Sequence, residues 1–341
     1  MQLRRLGPFG VSCLGLGCMN LSHAYGTPPP AEAAGALLLR ALEQGITHFD
    51  TAALYGFGAN ESLLGKVLKP HRNNIFLASK CGMTGVDGKR VIDGRPQTLK
   101  RTCEESLRRL QTDAIDLYYL HRWDRQVPIE DSVGALAGLV REGKIKSIGL
   151  SEVSAATLRR AHAVHPVAAL QSEYSLWTRN PEIATLAACR ELGTAFVAFS
   201  PLARAFLTGT LLDPEADLEA KDIRRQMPRF EPANYAKNLG LLEEYRRIAE
   251  AAGCTPAQLA LAWLLAKGDH ILPLFGTRSC AHLDENAGAA AVPLDAGLVA
   301  QLDAIINQQT VAGPRYNAAT QQEIDTEIFP QDLPSIAECD S

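Results

Sequence analysis

The chain has 341 residues, 46% hydrophobic and 21% charged, with a formal net charge of −4. That is the make-up of a globular α/β chain with a sizeable core, and it offers no basic field for a phosphate backbone, so no nucleic-acid partner is expected. No apolar stretch has the length of a membrane span and MQLRRLGPFG carries no cleavable apolar core, so no membrane association and a cytoplasmic location are expected.

Short apolar runs rich in branched residues alternate with longer stretches of helical period, the pattern of βα units and a parallel sheet. The first strand, Ser12–Gly17, precedes a helix over Pro30–Gln44. Strands at Ile46–Asp50 and Ile75–Lys80 follow, and a helix over Gln97–Leu110 leads into a strand at Ile115–His121. The helix Ile129–Glu142 connects to the strand Ile145–Ser151, Ala155–His162 to Val167–Gln171, and Pro181–Leu192 to Ala195–Ser200. Helices over Ala236–Ala252 and Pro256–Ala266 precede the eighth strand, Ile271–Leu274.

Boundary residues agree: Ser154 and Thr255 stand at N-cap positions, Pro256 in a first turn, and Gly45, Gly143, Gly193, Gly253 and Gly268 just past helix ends. Eight strands alternating with helices, without a composition break, predict one (β/α)8 TIM barrel over residues 1–341. Residues 202–234 are too long for a plain connection and read as a loop or lid, and 310–341 as a polar tail that folds over the surface or frays. The eight cysteines are scattered with no C-x-x-C pair, so neither a disulfide framework nor a metal site is expected. Cys81 stands out only because it follows Lys80 at a strand end.

In a parallel barrel the C-terminal strand ends converge on one face, where polar residues are the first candidates for chemistry. Asp50 and Tyr55 lie in HFDTAALYG, Lys80 closes IFLASK and His121 closes IDLYYLH. Apolar runs that end abruptly in charge would be costly unless those groups meet one another.

D-T-A-x-x-Y-G, then S-K, L-H and G-L-S, in that order, resemble the aldo-keto reductase superfamily, and the likeness extends over roughly Val11 to Asn286 through GKIKSIGLSE, QSEYS, FSPL and GTRS. L-H-R-W-D and Q-S-E-Y-S-L-W are closest to its bacterial, plant and fungal branch. The resemblance implies reduction of a small-molecule aldehyde or ketone, with Tyr55 giving the proton to the carbonyl oxygen, Lys80 acidifying it, Asp50 holding Lys80 and His121 orienting the substrate. An ammonium at ~4 Å, worth up to ~4 kcal/mol at an effective dielectric of ~20, would lower the Tyr pKa by about two to three, less what Asp50 takes back.

No G-x-G-x-x-G follows a strand, since GLGCMN breaks the pattern, and Tyr55 has no Lys four residues on, so a Rossmann dehydrogenase is disfavoured. By resemblance GTRSCAHLDEN is an adenosine-phosphate site: Arg278 and Ser279 would take the 2′-phosphate at a helix N-terminus, and Glu285 and Asn286 the adenine, which favours NADP(H). Ser151 and Gln171 would hold the nicotinamide carboxamide, and Ser200, Leu202 and Arg204 the pyrophosphate and ribose. The chain departs from the family pattern at Glu152, where Asn is common, at Phe199, at Ala203 and Ala205, which replace glycines, and at Phe275. Tyr25, Leu54, Tyr55, Trp123 and the 202–234 loop flank the catalytic face and would form an apolar substrate pocket. Two other functions fit the same residues: a Schiff-base lyase using Lys80, and a nucleotide-sensing regulatory subunit that binds NADP without turnover.

Overall fold

A computed structural model describes residues 1–86 and 89–330. Eight parallel strands close into a barrel in chain order: β1 Gly15–Gly17, β2 His48–Asp50, β3 Phe76–Cys81, β4 Leu117–Leu120, β5 Ile148–Ser151, β6 Val167–Glu173, β7 Ala195–Phe199 and β8 Ile271–Phe275. All eight expected strands are present, each end within three residues of the one expected. The first differs most: Phe9–Ser12 pairs with Leu3–Leu6 as an antiparallel hairpin, and only Gly15–Gly17 joins the barrel. This hairpin brings Leu6 and Val11 into the cluster that fills the barrel, with Phe76, Leu117, Ala195 and Leu272. Side chains on a strand alternate sides, so that inner cluster and the larger outer one beneath the helices use opposite faces of the same strands.

Of the expected helices, Ala31–Glu43, Pro96–Leu110, Ile129–Arg141, Ala155–Val164 and Pro256–Ala266 form much as read, the last opened by a Thr255 and Gln258 capping box. The stretch expected as Ala236–Ala252 is two helices, Pro232–Leu239 and Leu242–Ala251, because the turn at Gly240 tightens to three-residue hydrogen bonds. Pro181–Leu192 is helical only from Thr185, after a short 3-10 turn at Asn180–Glu182. Helices Ala59–Leu68 and Ala296–Ile305 were not expected, nor was the hairpin of Met83–Val86 with Lys89–Ile92.

The 202–234 segment folds into short helical turns, and the tail from 310 docks on the barrel as far as it is described. Val153 bridges Asp325, whose carboxylate accepts from Ser154 and Thr157, while Glu327 accepts from the Ala155 N–H and from Thr185. Residues 331–341, Cys339 among them, lie outside the described residues. Among the described residues no single helix is long and apolar enough to cross a membrane, and no cluster of metal-ligating side chains occurs.

Candidate active site

The register of the barrel decides which side chains share its C-terminal mouth. Asp50 pairs with Ala78 and Lys80 with Tyr119, so Lys80 stands one inward position above the level of Asp50, and His121 directly follows β4. Tyr55 arrives from the loop after β2. That loop leans on β3 through Thr51 N–H to Ala78 O (2.9 Å) and Ala53 N–H to Lys80 O (3.2 Å), which turns Tyr55 back over the mouth. Gly56, Phe57 and Gly58 then adopt positive φ (56°, 52° and 94°), a turn that favours glycine, and deliver the chain into the helix Ala59–Leu68.

That helix fixes the loop from behind. Asn60 accepts from the Thr51 hydroxyl (2.6 Å) and donates to Cys18 O (2.8 Å) and Ser22 (2.9 Å). Glu61 takes Ser79 (2.5 Å) and Arg109 (2.7 Å). Neither residue was singled out from sequence; the polar N-E-S that follows Y-G-F-G-A was the available signal.

The expected meeting of charges occurs. Lys80 Nζ donates to Asp50 Oδ1, to Thr51 O (2.9 Å) and to the Tyr55 hydroxyl (3.2 Å), and Gln171 donates to the other Asp50 oxygen (2.8 Å). Relative exposures are 1% for Asp50, 0% for Lys80, 7% for Tyr55 and 7% for His121, so water screens these charges little. The Tyr55 and His121 rings meet edge to face at 5.8 Å, and His23 stacks on Tyr55 from another side at 6.3 Å.

The direction of the Tyr55 pKa corrects the expectation. Burial drives it up, Lys80 draws it down while Asp50 pushes it up again, and the balance lies above the ordinary value. The Lys80 attraction is outweighed because a phenolate in this enclosure would lose its hydration. Lys80 keeps its proton: burial opposes the charge, but Asp50 and Tyr55 overcome that and raise its pKa. His121 is held well below the ordinary imidazole value by burial and then by Arg122 and Lys80, so it is neutral, and its buried Nδ1 has no partner. Cys81 is buried with its thiol pushed up by burial, which leaves it a packing residue rather than a nucleophile.

A cavity of about 760 Å³ opens from this mouth. Asp50, Leu54, Tyr55, His121, Ser151 and Gln171 line one end; Ser200, Leu202 and Arg204 lie along it; Arg278, Glu285 and Asn286 border the other. Tyr25 and the departures Phe199 and Phe275 also line it. Ser279 does not: its hydroxyl caps the helix Cys280–Gly288 by accepting from the His282 N–H (3.4 Å). Trp123 does not either, because its indole donates to Val127 O (2.9 Å) and its ring faces Arg125 and Arg160. His23, Met83, Arg90, Arg122, Tyr316 and Glu323 line the cavity without having been expected there, since the sequence pattern shows no element over 83–92 and only a polar tail from 310.

The departure at Glu152 has a structural counterpart. Its backbone is left-handed (φ 57°) and its carboxylate is turned from the cavity to Arg315 (2.8 Å) and the Glu173 N–H (3.0 Å). Glu173 in turn pairs with Arg204 (2.8 Å) and Arg315 (3.0 Å), making a foursome of two buried carboxylates and two half-buried arginines. Burial alone would push the Glu173 carboxyl up, but Arg204, Arg315 and Arg229 hold it at about 2.

Comparison with known proteins gives this arrangement its kin. The Aldo/keto reductase family model matches residues 13–307. The aldo-keto reductase yakc of Schizosaccharomyces pombe, whose name specifies NADP(+), is 42% identical over 337 residues, 96% of this chain and 98% of that one. A probable aldo-keto reductase of Glycine max is 44% identical over 312 residues, covering 90% and 89%. Among solved structures, the glycerol dehydrogenase of Gluconobacter oxydans superposes with a TM-score of 0.83 at 28% identity, over 92% of this chain and 97% of that one. The holo form of a Bacillus halodurans aldo-keto reductase gives 0.75 at 29% identity, covering 90% and 97%. By family model, by relatives and by fold, the chain belongs to the aldo/keto reductase family.

Proposed function

We propose that this protein is an NADP(H)-dependent carbonyl reductase whose functional unit is the single barrel, acting on small-molecule aldehydes or ketones from a cytoplasmic location. The observation that carries the catalytic assignment is the 3.2 Å contact of Lys80 Nζ with the Tyr55 hydroxyl at the mouth of the cavity. Lys80 donates to that oxygen, which leaves the Tyr55 O–H free to donate outward.

The residues present fit the cofactor. Arg278 borders the far end of the cavity beside the start of the helix Cys280–Gly288, and its guanidinium donates only to the Tyr25 (3.0 Å) and Thr27 (2.8 Å) carbonyls among the described residues, so its charge is available to a phosphate. Gln171, whose amide N–H is committed to Asp50, keeps its carbonyl oxygen for a carboxamide N–H, and Ser151 offers its hydroxyl beside it. Arg204 is already balanced by Glu173, so it would contribute position rather than net charge. When bound, NADPH supplies the hydride that reduces the carbonyl carbon.

Tyr55 gives its proton to the oxygen as charge grows there. Because burial keeps the hydroxyl protonated, the acid is loaded at neutral pH, and the fixed Lys80 ammonium stabilises the phenolate left behind. Neutral His121 lies at the Tyr55 edge, where an imidazole N–H can hydrogen-bond the same oxygen without competing as a charge.

Tyr55→Phe tests the assignment. NADPH consumption with an aromatic aldehyde is expected to fall by about 10²–10⁴-fold, the usual contribution of a general acid, while NADPH binding followed by fluorescence persists. Retained turnover in that variant would remove Tyr55 as the acid. The lyase reading is disfavoured by the three hydrogen bonds and the raised pKa that keep Lys80 an ammonium, a form that cannot add to a carbonyl. Turnover across a carbonyl panel separates the enzyme from a regulatory subunit.

A further inference from the structure

The cations around the cavity fall into two kinds. Lys80 is matched by Asp50, Arg90 by Glu323, Arg204 and Arg315 by Glu173 and Glu152, and Arg224 by Asp222, while Arg278 at the far end has no carboxylate but is taken up in the cofactor reading. Arg122 is different. Among the described residues no carboxylate stands within ion-pair distance of it. Its Nη1 donates to the carbonyl of His121 (2.7 Å) and to Ser151 Oγ (3.3 Å), and its Nε is buried without a partner.

The guanidinium lines the same end of the cavity as Tyr55 and His121. Its positive charge is felt at both, favouring the ionised form of Tyr55 and opposing protonation of His121. Every acid at this end is already spent, Asp50 on Lys80 and Gln171, Glu323 on Arg90. A half-buried guanidinium without a counter-ion is costly, and a carboxylate is the partner that its planar donors fit best.

We propose that Arg122 is a receptor for an anionic group on the substrate, so that carbonyl compounds bearing a carboxylate near the reacting carbon are preferred to neutral ones. The apolar Leu54 and Met83 beside it suit the carbon skeleton of such a molecule. This inference rests on the reductase reading and names the substrate class of that same site.

The test pairs 2-, 3- and 4-carboxybenzaldehyde with their neutral methyl esters, assayed with NADPH on the full chain and on Arg122→Gln and Arg122→Lys. At least one acid is expected to exceed its ester about tenfold or more in kcat/KM. In Arg122→Gln that acid should lose at least about tenfold more than its ester, chiefly through KM, and Arg122→Lys should recover part of the loss. Wild-type enzyme that treats every acid no better than its ester overturns the proposal, and that comparison does not depend on a variant folding. So does an equal loss on acid and ester in Arg122→Gln, or a matching loss of NADPH affinity by fluorescence, which would assign Arg122 to the cofactor. If none of the six aldehydes is reduced, the reductase reading itself fails and this inference with it.

Discussion

Tyr55 sits where three influences oppose one another, and their order decides its chemistry. At 3.2 Å an ammonium is worth about 5 kcal/mol to a phenolate at an effective dielectric of ~20, yet burial and Asp50 together outweigh it. The ion pair beneath Tyr55 is therefore a positioning device as much as an acidifier. Lys80→Met should show both sides of this. It leaves the Asp50 carboxylate in the core with Gln171 alone, and denaturant unfolding is expected to register a loss of about 3–5 kcal/mol along with most of the activity. The double variant Asp50→Asn with Lys80→Met should regain much of the stability and none of the activity. A double variant as unstable as the single one would mean that the pair is held for other reasons than its mutual neutralisation.

At the scale of elements, the turn after β7 carries visible strain. Ser200, Ala203, Arg204 and Ala205 all have positive φ (50°, 49°, 56° and 79°), a region that costs a non-glycine residue roughly 1–2 kcal/mol. Two of these positions are the alanines that depart from the family's glycines. Alanine here adopts the glycine conformation rather than avoiding it. Ala205→Gly is expected to stabilise the fold by about 0.5–1 kcal/mol net of the added chain entropy, read as a higher unfolding midpoint. A lower midpoint would show that the loop is relaxed and the alanine methyl is packed to advantage.

For the whole molecule, the tail lines one side of the cavity with Tyr316 and Glu323 and is anchored by Arg315 between Glu152 and Glu173, its guanidinium 4.4 Å from the Tyr316 ring. Arg315→Met leaves the buried Glu152 carboxylate without its paired cation and removes one of the arginines that hold Glu173. A loss of about 3–5 kcal/mol is expected, with faster proteolysis within 310–330, and an unchanged cleavage pattern would show that the tail is held by other contacts. Inside the barrel, His48 is fully buried with both ring nitrogens unpartnered, and burial lowers its pKa to about 4. The unfolded chain binds this proton from about pH 6.5 downward and the folded chain does not, so stability present above 6.5 is lost as pH falls toward 4, at about 1.4 kcal/mol per pH unit. The drop in melting temperature between pH 7 and 5 should be smaller in His48→Leu than in wild type, and equal slopes would place the acid sensitivity elsewhere.

The eight strands, their parallel arrangement and the charged residues at their ends are legible from the chain alone. Those features rest on local periodicity and on the cost of burying lone charges, both of which can be read one segment at a time. Asp50, Lys80 and His121 were legible for that reason, and Tyr55 through the motif that joins it to Asp50.

The remaining features depend on how distant segments pack together. Trp123 lies near a strand end yet faces away from the cavity, and Ser279 caps a helix instead of lining the site. Arg122 looks like any arginine in sequence, and it differs from its neighbours only because every carboxylate around it is taken by another residue. Glu152 found its partner 163 positions away in Arg315, and the tail that carries Arg315 has no periodicity to announce it. The direction of the Tyr55 pKa was beyond the sequence for the same physical reason: desolvation and charge pairing are set by which remote segments enclose a group, and no local pattern encodes that enclosure.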